Sequence, residues 1–79
     1  MENDADIQEL DRLRAAYKEA VEAWIKAIRA EENFATPDHT VPAVDVWEHA
    51  GFDEEDARDK AKEARQAYED ALRKADFGF

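Results

Sequence analysis

Two histidines, His39 and His49, are the side chains of this chain best suited to bind a transition metal or to move a proton near neutral pH. Asp45 lies four residues before His49, so the two share a face if this stretch is helical, and Asp38 and Glu48 are close in sequence. Imidazole and carboxylate groups together can hold a divalent metal ion. The spacing matches no H-E-x-x-H, E-x-x-H or EF-hand pattern, so we expect ordinary solvent-exposed residues and neither a metal nor another cofactor.

The sequence lacks most of the groups on which catalysis depends. It contains no cysteine and no serine, and its two glycines, Gly51 and Gly78, cannot form a phosphate-binding loop. No nucleophile, base and orienting group occur at a recognisable spacing. We therefore expect a protein that is not an enzyme.

The net charge of −10 is unevenly distributed along the chain. Residues 36–56 contain seven acids and no base, whereas the flanking segments carry both signs. This charge disfavours binding to nucleic acids or anionic membranes. The acidic segment has two interpretations: a docking surface for a basic protein, or acids that begin a helix and aid solubility. We favour the second.

The first long element is an amphipathic helix over residues 4–33. No glycine or proline interrupts it, and Pro37 ends it by disfavouring helical geometry at Thr36. At about 100° per residue, its large apolar side chains fall within an arc of roughly 160°. These residues form a bulky stripe: Ile7, Leu10, Leu13, Tyr17, Val21, Trp24 and Ile28.

Residues 35–41 are predicted to be a turn, followed by a short connecting helix or an extended strap over residues 42–50. Pro42 suits a first helical turn, and Gly51 suits the left-handed position just beyond a helix end. Asp53 then resembles the N-cap of a new helix whose first turn is acidic.

The second long helix is predicted over residues 53–76. Small residues recur along it at alternating spacings of four and three, which is typical of a helical seam that admits a close partner. This alanine seam consists of Ala57, Ala61, Ala64, Tyr68, Ala71 and Ala75.

Together these elements predict a single all-α domain over residues 1–79, an antiparallel hairpin of two long helices. An alanine seam covers only part of the bulky stripe, so we expect two copies to form a four-helix bundle with their first helices central. The expected interface is Leu10, Leu13, Tyr17, Val21, Trp24 and Ile28. The alternative is a monomer in which the middle segment and the tail, Phe77–Phe79, cover the stripe.

The expected function is therefore protein–protein contact, first of all self-association to a homodimer, in a cytoplasmic protein that binds neither nucleic acid nor membrane. An acidic decoy or antitoxin-like partner of a basic protein is the second hypothesis. A metal-binding protein that uses His39 or His49 is the third.

Overall fold

A computed structural model describes the backbone of residues 4–77 and the side chains of residues 6–77. This part of the chain forms two α-helices, α1 over Asp4–Phe34 and α2 over Val41–Phe77, which pack against each other as an antiparallel hairpin. It contains no β-strand. The predicted all-α hairpin is confirmed.

Residues 35–40 form the loop between the helices, close to the predicted turn. The Ala35 amide donates to the carbonyl oxygens of Glu31 and Glu32, both at 3.2 Å, which completes the last turn of α1. At the other end of the loop, the Thr40 carbonyl accepts from the amide of Val44 at 3.0 Å, so Thr40 is the N-cap of α2. The predicted end of α1 before Pro37 is therefore confirmed.

The predicted break between a short connecting segment over 42–50 and a helix over 53–76 was wrong, because α2 is continuous through residues 51–53. Gly51 has no left-handed backbone conformation, and its α-carbon faces the carboxylate of Glu31. Asp53 is an exposed residue in the middle of the helix and not its N-cap. Gly51 lowers helix propensity by about 1 kcal/mol, which the packing of α2 against α1 overrides.

The alanine seam explains why α2 does not break. Alanine occurs at every seventh residue along almost the whole helix, and this spacing keeps one face of a helix turned toward its partner. These alanines are Ala43, Ala50, Ala57, Ala64 and Ala71. The predicted seam began at Ala57. In the structure it begins at Ala43, which is 14 residues closer to the N-terminus of α2.

The hairpin is a long rod. Its principal dimensions are 60 × 18 × 13 Å, and the longest agrees with about 55 Å for a helix of 37 residues. Its radius of gyration is 17.8 Å, against about 12 Å for a compact domain of this length. Val41, Phe52 and Phe77, which the monomeric alternative would use to cover the stripe, are each about two-thirds or more exposed. Residues 78–79 lie outside the described part.

Replacing Gly51 with alanine tests the continuity of α2. An alanine Cβ at this position would lie 3.5 Å from the Glu31 Oε1 atom, an ordinary van der Waals contact. We expect Gly51→Ala to raise the free energy of unfolding by about 0.5–1 kcal/mol, because alanine favours a helix interior. Urea denaturation measures this. Ala67→Gly, an exposed change in the same helix, should lower the free energy of unfolding by a similar amount. A destabilising Gly51→Ala change would indicate a helix end at this position.

Enlarging a buried seam residue tests the close approach of the helices. Ala61 is only 3% exposed, so Ala61→Leu should force α1 and α2 apart and destabilise the hairpin by about 1–3 kcal/mol. The matched control, Ala67→Leu, lies on the exposed face of α2 and should change stability by less than about 0.5 kcal/mol. Thermal denaturation of both variants makes the comparison. Equal stability of the two would contradict a tight seam.

Candidate interaction surfaces

The inner faces of the hairpin bring together the bulky stripe of α1 and the alanine seam of α2. Five stripe residues are half-buried, and because α2 is the other element described, α2 is what covers them: Leu10, Leu13, Tyr17, Val21 and Trp24. All six predicted seam residues are buried or half-buried. Five of the six predicted interface residues are therefore already partly buried against α2 within one hairpin.

One hydrogen bond between side chains of α1 and α2 joins the two inner faces. The indole Nε1 of Trp24 donates to the Glu54 Oε1 atom at 2.7 Å, in a partly buried position. The sequence predicted Glu54 as a first-turn acid of a helix and missed this role. The spacing of Glu54 could have predicted its position on the inner face. It lies seven residues before the buried Ala61 and fourteen before Tyr68, and so on the same face of α2.

Little of the apolar surface is fully covered. Among residues 6–77, only Ala50 and Ala61 are buried, and no large side chain is completely enclosed. The chain exposes 6317 Å², whereas a compact monomer of 9.1 kDa exposes about 4,900 Å². The elongated hairpin therefore exposes about 1,400 Å² more surface than a compact fold of the same mass.

The first exposed apolar surface lies along one side of α1. We name it the α1 flank and define it by Ile7, Ile25 and Ile28, which are 47%, 42% and 40% exposed. Ile7 and Ile25 are 18 residues, or five helical turns, apart and so point in the same direction. Ile25 was missing from the predicted stripe, although this periodicity places it beside Ile7.

Charges of both signs accompany the α1 flank. Arg14 and Glu32 lie within about 20° of Ile7 and Ile25 on the helical wheel, and both are exposed. Arg14 forms one long contact to Asp11, at 3.4 Å. In α2, the Nε atom of Arg58 is buried without a hydrogen-bond acceptor.

The second surface is a groove on the opposite side of the hairpin, near the loop. We name it the loop-end groove. It has a volume of about 620 Å³ and is lined by five apolar residues, Ala27, Ala30, Phe34, Val46 and Ala50, and by four charged or polar residues, Lys26, Asp45, His49 and Asp53. All four of these polar side chains are exposed. Sequence reasoning missed the groove, because its two walls come from different helices.

The structure separates the two histidines. His49 lies one turn from Asp45 in the loop-end groove and packs edge-on against Phe52, with ring centroids 6.5 Å apart. His39 lines a smaller cavity at the loop, together with Phe34 and Trp47. Within residues 4–77, no group of three or more histidine or acidic side chains is close enough together to hold a metal ion.

The chain matches no protein family, no curated protein and no solved structure. In the described residues, neither helix has an apolar stretch long enough to cross a membrane. We therefore infer function from the burial, charge and shape of the α1 flank and the loop-end groove.

The contact between Trp24 and Glu54 can be measured by a double-mutant cycle of Trp24→Phe and Glu54→Ala. Because the contact is partly buried and its acceptor is charged, we expect a coupling energy of about 1 kcal/mol in urea denaturation. Glu54→Gln keeps an acceptor oxygen and should retain part of this coupling. A coupling below about 0.3 kcal/mol would show that the hydrogen bond does not hold the two helices in register.

Proposed function

We propose that this protein acts through protein–protein contact, and that its first partner is a second copy of itself. Two hairpins would pair through their α1 flanks to form a four-helix bundle, with both α1 helices central and both α2 helices outside. The observation that carries this proposal is the incomplete burial of apolar surface, because two alanines alone are buried among residues 6–77. Exposed apolar patches of this kind mark interfaces in soluble proteins.

The size of the exposed surface supports pairing. A standard interface buries about 800 Å² on each partner, and nine large apolar side chains among the described residues are at least 40% exposed. Moreover, Ile7, Ile25 and Ile28 all lie on one uninterrupted helix, along which a second helix can pack.

The charges of the α1 flank are compatible with pairing with itself. A two-fold axis requires the same surface on both partners, so the surface must be complementary to itself. If two α1 helices pack antiparallel about a centre near residue 23, Val21 of one copy lies opposite Ile25 of the other. The same arrangement places Arg14 opposite Glu32 of the second copy, where the two side chains have opposite charges.

Replacing an isoleucine of the α1 flank with a charged residue should therefore dissociate the dimer. Sedimentation equilibrium of the unmodified protein should give about 18 kDa, twice the mass of one chain. Ile25→Asp should weaken the dimer by about 100-fold or more, since the buried isoleucine occurs once in each copy. Val41→Asp adds the same charge at an exposed position beside the loop and should leave the mass at about 18 kDa.

The charge pairing provides a sharper control. Arg14→Glu should weaken the dimer, because it would place two acids opposite each other, and Glu32→Arg in the same chain should restore it. The proposal is wrong if the unmodified protein sediments as a monomer of about 9 kDa at 50–100 µM.

A further inference from the structure

We propose that the loop-end groove binds a basic amphipathic helix from a different protein. The groove lies on the opposite side of the hairpin from the α1 flank, since Ala27, Ala30 and Phe34 are rotated by about 140–180° from Ile7 and Ile25. The two surfaces therefore do not overlap, and this proposal does not depend on self-association.

The shape of the groove suits a helix. It extends from Lys26 to Phe34 along α1 and from Asp45 to Asp53 along α2. Each wall covers eight helical steps, or about 12 Å, which is slightly more than two turns. A helix that docks in such a groove inserts apolar side chains at positions i, i+3 or i+4, and i+7, and two or three such anchors fit this length.

The lining is apolar where an inserted side chain would lie. Val46 is 45% exposed beside the buried Ala50, and Ala27, Ala30 and Phe34 form the facing wall. Phe34 is itself 46% exposed, so a large apolar side chain that entered the groove would cover it. Burial of this surface favours an apolar anchor.

The charged residues at the edge of the groove favour a basic binding partner. Asp45, His49 and Asp53 follow one another at four-residue intervals along the edge of the groove, and Lys26 is the one base in its lining. The whole 36–56 segment contains seven acids and no base. A helix with lysine or arginine beside its apolar stripe is complementary to this edge. A second copy is a poor occupant, because a two-fold contact at the groove would bring two acidic segments together.

The test uses the full chain and a synthetic probe. The probe is a fluorescein-labelled, 18-residue peptide of leucine and lysine, with the leucines at helical spacing. We expect saturable binding by fluorescence anisotropy with a Kd on the order of 10 µM, since a contact of two turns is small. A peptide of the same composition without helical periodicity should bind at least tenfold more weakly, and so should a leucine–glutamate helix. Binding should also weaken when salt is raised from about 50 to 300 mM.

Variants locate the site. Val46→Gln removes an apolar contact in the groove without adding charge and should weaken binding at least fivefold. The double change Asp45→Asn and Asp53→Asn should do the same at low salt. Val41→Gln makes the same change at an exposed position outside the groove lining and should leave the Kd within a factor of two, whereas Ile25→Gln on the α1 flank serves only as a control for oligomer mass. Circular dichroism checks that each variant stays helical, and Ala30→Gln replaces Val46→Gln if that variant unfolds.

Three results would overturn the proposal. The first is no saturable binding of the leucine–lysine helix, and the second is equal binding of the aperiodic peptide or of the Val46→Gln variant. The third is a loss of oligomer mass in Val46→Gln but not in Ile25→Gln, which would assign the groove to a second copy. Binding that requires both helical periodicity and an intact groove supports the proposal.

Discussion

The small size of alanine is the constraint on which the rest of this structure depends. Alanine favours a helix and lets two helices approach closely, but it buries little apolar surface. Here it recurs every seven residues along one face of α2, opposite larger side chains of α1. The two helices therefore align along their whole length, while the interior consists of half-buried residues around Ala50 and Ala61. A long rod with exposed apolar sides is the result.

Much of this architecture could be predicted from the sequence, because apolar periodicity and Pro37 define α1, the loop and the hairpin. The break at Gly51 and Asp53 was wrong because both residues have local preferences for helix ends, and these preferences are worth only about 1 kcal/mol each. The packing of α2 against α1 outweighs them. The seven-residue spacing of Ala43 and Ala50 with Ala57 was the signal for one continuous helix.

The candidate surfaces were less predictable because they depend on how two helices are placed side by side. Periodicity alone could have added Ile25 to the α1 flank, and the spacing from Ala61 could have placed Glu54 on the inner face. The loop-end groove combines Ala30 of α1 with Val46 of α2, so it is defined only once the register of the hairpin is known. The two surfaces differ in charge: the α1 flank carries both signs, whereas acids predominate in the groove lining. One favours a second copy and the other a basic partner.

Because one hairpin buries little apolar surface, the proposed pairing should stabilise it further. Thermal unfolding at different protein concentrations tests this claim most directly, because the stability of a protein that folds as a dimer depends on concentration. Raising the concentration of the unmodified chain from about 2 to 200 µM should raise the Tm by roughly 5–10 °C, given the enthalpy expected for two chains of this length. A Tm that stays constant over this range would contradict the claim and indicate a hairpin that is stable alone.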